Sequence, residues 1–244
     1  MLDGLLPLLP EWLGAVAVLM LATLSPRFKR PPLVFKYARR DGMLALSGFV
    51  LIMALAFIFS QVNIGAITAP FSENLRGLAN RMLLALVCVV PFIAALLVRK
   101  QPWRSIGWNR AMQMPALQLG FALAFMTIFL RGKFNSLFSG MDADAINALW
   151  MWLVTVLAEE TIFRGYLQLR FTTWWGQRAA WLGTAGLFLL WQLPRWVASP
   201  DTLVLNLVIG AVQALLCGWM MRQSGHVAAS TLYRAVSEWL LILK

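Results

Sequence analysis

The sequence has few of the residues that build disulfides and histidine sites. Two cysteines, Cys88 and Cys217, occur among 244 residues, and both lie inside apolar runs. Cysteines in such runs are typical packing residues, so the sequence predicts neither a disulfide framework nor a metal pair. The single histidine, His226, excludes any site that needs two histidines from this chain.

Acidic residues and polar linkers are also scarce. The chain has 10 acidic against 21 basic residues, a formal net charge of +11, which in a soluble protein would suggest nucleic acid as a partner. However, 60% of the residues are hydrophobic and the mean hydropathy is +0.72, more apolar surface than a soluble domain of this length can bury. We therefore predict an integral membrane protein whose partner is the lipid bilayer, and no nucleic-acid partner.

Apolar windows long enough to cross a bilayer as helices recur eight times. The predicted fold class is all-α, a polytopic membrane protein with about eight transmembrane helices in one domain over residues 1–244. Four spans fall within residues 1–140. The windows centre on residues 7–25, 43–62, 79–98, 114–130, 146–165, 179–197, 202–221 and 226–243.

Basic residues are concentrated in the odd-numbered loops. The positive-inside rule places these loops in the cytoplasm and both termini outside, in the expected inner membrane of a prokaryotic cell. No Lys or Arg precedes the first apolar run, so we interpret it as a retained span and not as a signal peptide. The first loop alone contains Arg27, Lys29, Arg30, Lys36, Arg39 and Arg40.

Charged residues within the fifth window are the most informative feature, because charges inside a membrane are costly and usually functional. The stretch "AEETIFRGYLQLRF" contains Glu159, Glu160 and Arg164. Glu160 and Arg164 are four residues apart, which places both on one helix face, whereas Glu159 points about 100° away. If Gly176 is the turn, Gln192 on the returning helix lies at the depth of Glu159, either in a polar pocket or in a helix–helix hydrogen bond.

The last window, "HVAASTLYRAVSEWLLILK", adds Arg234 and Glu238, again four residues apart. Three carboxylates and three guanidinium groups can then neutralise one another, which favours a paired and buried network. The six residues are Glu159, Glu160, Glu238, Arg164, Arg195 and Arg234.

The segment "EETIFR" resembles the EExxxR motif of the CPBP family, the CAAX protease and bacteriocin-processing (Abi) proteins, which includes the type II CAAX prenyl endopeptidase. Its FxxxH motif aligns with Phe188 and Gln192, and its HxxxN/D motif with Arg234 and Glu238. The resemblance covers residues 150–239 and implies an eight-helix intramembrane fold with a four-helix core at 146–244.

The resemblance also implies a protease site at the aligned positions. In the family, the first Glu and the second-motif His activate a water, and the third-motif residues stabilise the oxyanion. This sequence departs from that pattern, because Gln192 cannot accept a proton and Arg234 cannot shuttle one. The catalytic positions implied by the resemblance are Glu159, Glu160, Arg164, Gln192, Arg234 and Glu238.

Three functions remain open on the sequence. The first is a non-catalytic binding, scaffolding or regulatory subunit of a membrane complex, with a membrane protein as partner. The second is an active intramembrane endopeptidase that uses Glu159 to activate water and cleaves a membrane peptide. The third is a small transporter, since intramembrane charges can mark an ion path. The sequence predicts no metal and no cofactor.

Overall fold

A computed structural model of the chain describes residues 5–28, 33–62, 64–135, 140–198 and 200–243. Lys29 and Arg30 of the first basic loop lie outside these residues. Within the described residues the regular structure is entirely helical, which confirms the predicted fold class. The eight long helices are α1 (Leu9–Leu24), α2 (Ala38–Gln61), α3 (Glu73–Val98), α4 (Gln113–Leu130), α5 (Ala143–Trp175), α6 (Gln177–Val197), α7 (Leu203–Ser224) and α8 (Ala228–Leu240).

Six of the eight helices in the described part of the chain are long and apolar enough to cross a membrane: α1 to α5 and α7. The sixth and eighth predicted windows are also helical but do not reach this standard. Helix α6 contains Arg178 and Arg195, and α8 has only 13 residues and contains Arg234 and Glu238. The polytopic helical architecture is therefore confirmed, with two helices that are more polar than the others.

Helix α5 is the longest helix and has defined limits. The side chain of Asp142 accepts a hydrogen bond of 2.7 Å from the Ala145 amide and caps its start. Its end is at Gly176, whose φ of 82° is unfavourable for other residues. Its middle section, Thr161–Gln168, is π-helical, a conformation that is rare and frequently found at functional sites.

The basic loops meet at one end of the bundle, which we call the basic end. It comprises the links at 25–28, 33–37, 99–112 and 225–227 and the turn at Gly176. The Phe35 amide donates to Thr173 on α5 at 3.4 Å, and the Val227 amide donates to the Gly107 carbonyl at 3.0 Å. The odd-numbered loops, which share a basic composition, therefore also lie close together in space.

The link before α4 is packed closely on α5. A side chain at Gly165 would place its Cβ 2.0 Å from the Ile106 carbonyl oxygen, so only glycine permits this approach. The Arg170 guanidinium donates to the Ser105 carbonyl at 3.0 Å and to Gln101 at 2.6 Å. These contacts fix the π-helical part of α5 against the link.

Helix α8 is central to the bundle, packed against α4, α5 and α7, while α3 packs on α5. Tyr233 and Ala235 are completely buried, and Arg234 between them is 1% exposed. A buried guanidinium needs partners on the neighbouring helices, because an unpaired charge in such a place is strongly unfavourable.

Candidate functional site

The two consecutive carboxylates of α5 lie at the centre of the bundle. Glu159 is 1% exposed and Glu160 is 0% exposed. Three guanidinium groups surround them: Arg81 from α3, Arg164 one turn further along α5, and Arg234 from α8. We call these five residues the central cluster.

Arg234 bridges the two carboxylates. Its Nη2 donates to Glu159 Oε2 at 2.5 Å, and its Nη1 donates to Glu160 Oε1 at 3.1 Å. The guanidinium also lies over the ring of Phe188 on α6, 4.4 Å from the ring centroid. Arg234 thus joins α5, α6 and α8 through charge-assisted hydrogen bonds and a cation–π contact.

The carboxylate of Glu159 is fully occupied by donors. Arg81 donates to Oε1 at 3.2 Å and to Oε2 at 3.3 Å, and the indole of Trp191 donates to Oε1 at 3.3 Å. Together with Arg234, each oxygen therefore has at least two donors. In the described part of the chain both oxygens of Glu159 are therefore engaged by donors, which compete with a water molecule for the same positions.

Glu160 and Arg164 form the ion pair predicted from their spacing, with 3.6 Å between Glu160 Oε2 and Arg164 Nε. Arg164 is 0% exposed, and within the described residues none of its three guanidinium nitrogens has a hydrogen-bond partner. Its guanidinium lies 5.4 Å from the Phe188 ring centroid, so Phe188 contacts both Arg164 and Arg234.

Two other motif positions lie at the edge of the cluster. Gln192 accepts a hydrogen bond of 2.6 Å from Arg195, and its neighbour Trp191 supplies the contact from α6 to Glu159. Glu238 Oε1 lies 4.0 Å from Arg234 Nε, at the limit of an ion pair, with 18% of its side chain exposed.

Arg81 is the member of the cluster that the sequence analysis missed. The available signal is a single charge within the third apolar window, where charged residues usually have a function. Its presence changes the charge count, because three guanidinium groups face the two carboxylates of the cluster.

His226 lies in the link before α8 and helps to start that helix. Its Nδ1 accepts a hydrogen bond of 3.0 Å from the Ala228 amide, and its ring makes an edge contact with Trp108 at 5.6 Å. Burial lowers the pKa of His226 from its ordinary value, since a charged imidazole is poorly solvated there.

The described residues contain no group of three or more His, Cys, Asp or Glu side chains that could hold a metal ion. Cys88 and Cys217 are free and buried. The chemistry of the cluster therefore comes from carboxylates and guanidinium groups.

A second buried polar cluster, which we call the lateral cluster, joins α1, α4, α7 and α8. Arg131 donates to Glu11 Oε2 at 2.5 Å and to the carbonyl and hydroxyl of Ser237 at 2.9 and 2.8 Å. Gln213 donates to the same hydroxyl at 3.2 Å. The sequence analysis did not connect these residues, because they are single polar positions on four helices.

The helical bundle places the Glu-Glu pair and the Arg four residues later, the pattern of the EExxxR motif, at its buried centre. Residues 141–240 match the family model described as type II CAAX prenyl endopeptidase Rce1-like. This match confirms the resemblance inferred from "EETIFR". No curated protein and no solved structure matches the chain. The matched segment begins after α4, so Arg81 and Glu11 lie outside it.

Proposed function

We propose that this membrane protein does not hydrolyse peptides and serves as a binding, scaffolding or regulatory subunit of a membrane complex. The observation that carries the proposal is the occupied carboxylate of Glu159, which two arginines and one tryptophan contact. General-base catalysis requires a group that can take a proton from water, and the oxygens of Glu159 are instead engaged by these donors.

The two motif positions at which the family has histidine provide no substitute base. The amide of Gln192 cannot accept a proton from water, and its oxygen is already bound to Arg195. Arg234 keeps its charge at all ordinary pH values. Both residues stand at positions where the related endopeptidases have histidine, which supports a loss of the hydrolytic step.

The binding role is supported by what the cluster does instead. It joins α3, α5, α6 and α8 through a buried ion network, and such networks can specify one arrangement of helices. A fixed helical surface in the membrane is suited to a partner that is itself a membrane protein or membrane peptide.

The proposal is tested by an endopeptidase assay of the purified chain in liposomes, with prenylated CAAX peptides and unmodified membrane peptides as substrates. The expected result is no cleavage by the wild type or by Glu159→Ala. Cleavage by the wild type that disappears in Glu159→Ala would overturn it. Crosslinking in native membranes is expected to recover one membrane partner in stoichiometric amount.

The alternative is an active endopeptidase in which Glu159 activates water and Arg234 donates to the oxyanion. It is favoured by the π-helical section that directly follows Glu160, since π-helical turns are frequent at functional sites. Under this alternative, Gln192→His combined with Arg234→His keeps or raises an activity already present in the wild type. Under the proposed function, the wild type has no activity to keep.

We also propose that the basic end faces the cytoplasm of a prokaryotic cell, with both termini outside. The native cysteines are buried and should react slowly with a thiol reagent. Labelling of a single introduced cysteine can therefore be measured above a low background. A membrane-impermeant thiol reagent added to intact cells is expected to label Asp201→Cys and not Arg39→Cys. The reverse labelling pattern contradicts this topology.

A further inference from the structure

A cavity of about 710 Å³ lies at the basic end, outside the central cluster. It is bounded by the residues after α1, the link before α4, the last part of α5 and the end of α7. Its walls include Phe28, Arg104, Gln168, Met221 and Arg222. No residue of the central cluster lines the part of this cavity that the structure describes.

A second cavity of about 330 Å³ adjoins the first, and Leu33, Val34 and Arg104 line both. Among the described lining residues of the two cavities the one acidic side chain is Asp41, which is paired with Arg99. The lining is therefore strongly cationic. Its basic residues are Lys36, Arg40, Arg99, Arg104 and Arg222.

Two arginines of the larger cavity have no carboxylate partner in the described residues. Arg222 has a buried Nε without a partner, and its guanidinium lies 5.3 Å from the Trp181 ring centroid. Neither Arg222 nor Arg104 has an ion pair within the described part of the chain.

These atoms specify the chemistry of a complementary ligand. Unpaired guanidinium groups favour a phosphate, to which arginine binds through charge-assisted hydrogen bonds. Apolar walls from Phe28 and Met221, at the end of a membrane bundle, suit the start of acyl chains.

We propose that this cavity binds the headgroup of an anionic phospholipid such as phosphatidylglycerol. Arg104 and Arg222 hold its phosphate. The site is independent of whether the central cluster is catalytic, because the two regions share no lining residue in the described chain.

The first experiment uses the full chain in detergent and measures bound lipid by native mass spectrometry. Phosphatidylglycerol is titrated beside phosphatidylcholine, phosphatidic acid and inorganic phosphate. We expect one phosphatidylglycerol to bind at least about tenfold more tightly than phosphatidylcholine, because charge-assisted contacts of this kind each contribute on that order. Phosphatidic acid, whose phosphate is also anionic, should likewise bind more tightly than phosphatidylcholine.

The second experiment separates this site from general attraction to a basic surface. Arg104→Gln combined with Arg222→Gln removes two charges from the cavity. The matched control, Arg39→Gln with Arg110→Gln, removes two exposed charges from the same end, and neither residue lines a described cavity. We expect about a tenfold loss of phosphatidylglycerol affinity in the first variant and less than about a twofold loss in the control.

Several results overturn the proposal. Equal losses in the two double variants mean general surface attraction, and equal affinity for phosphatidylcholine means no headgroup recognition. Displacement of the lipid by an equal concentration of inorganic phosphate means a site for a soluble anion. Equal affinity for phosphatidic acid and phosphatidylcholine means that the net charge of the headgroup is not recognised. The comparison of lipids on the wild type still tests headgroup recognition even if a cavity variant fails to fold.

Discussion

The central and lateral clusters both bury charges against α8, but their compositions differ. In the lateral cluster one guanidinium, Arg131, meets one carboxylate, Glu11, and neutral groups of Ser237 and Gln213 complete the contacts. The central cluster has three guanidinium groups for two carboxylates. A one-to-one pair is sufficient to join helices, so the additional arginine in the central cluster indicates that holding Glu159 is itself a feature of the site.

The largest expected effect comes from Arg234→Met, which removes the group that contacts both carboxylates. Loss of one partner from a buried ion network costs about 3–5 kcal/mol of unfolding free energy. The measurement is denaturant unfolding in detergent. The control is Arg195→Met, at a residue whose side chain is more exposed, with an expected loss of less than about 1 kcal/mol. Equal losses in the two variants would contradict a central role for Arg234.

The second prediction compares the two clusters by asking whether stability recovers when both partners of an ion pair are replaced. Glu11→Leu and Arg131→Met are each expected to cost about 3 kcal/mol of unfolding free energy, because each leaves a buried charge unpaired. The double variant should recover to within about 1 kcal/mol of the wild type, since a buried pair can be replaced by apolar side chains. The corresponding pair Glu159→Leu with Arg234→Met should show no such recovery, because Arg81 loses its carboxylate partner and Glu160 Oε1 loses its donor. Recovery in both pairs would mean that the clusters are equivalent.

A smaller effect is expected for Arg81→Met. The Arg81 side chain is 13% exposed, and its guanidinium lies 4.6 Å from the Trp152 ring centroid, so methionine retains part of its packing. We expect a loss of about 1–2 kcal/mol of unfolding free energy, less than for Arg234→Met. An equal or larger loss would place Arg81, and not Arg234, as the main partner of Glu159.

The smallest effect concerns pH and lies outside both clusters. Because burial lowers the pKa of His226, the folded state binds the proton less readily than the unfolded state. The associated stability is present above pH 6.5, the ordinary value for histidine, and is lost as the pH falls through the lower value of the folded state. Thermal unfolding between pH 8 and pH 5 should show this loss in the wild type and a weaker one in His226→Gln.

The helical membrane fold and the paired carboxylates could be predicted from the sequence, because each depends on local patterns. Window lengths predicted the helices, and a four-residue spacing predicted the Glu160–Arg164 pair. The sequence could not predict which residue of α6 contacts Glu159. Successive helical residues point about 100° apart, so a small rotation of α6 decides whether Trp191 or Gln192 faces Glu159.

The lateral cluster and Arg81 were missed for a different reason. Their residues lie on helices that are far apart in the chain, and each looks like an isolated polar position. Arg131 also resembles an ordinary charge at the end of a span, where basic residues fix topology. Only the packing of α1, α3 and α4 around the C-terminal helices reveals their partners.

The supply of Arg81 by α3 has a consequence for gene recombination experiments. A chimaera that grafts residues 141–240 onto foreign N-terminal helices would carry Glu159 without one of its arginines, and Ser237 without Arg131. Such a graft should insert and assemble poorly unless the new third and fourth helices present guanidinium groups at matching depth. The segment that matches the family model therefore depends on the N-terminal helices. A transplanted unit would have to include α1, α3 and α4 together with residues 141–240.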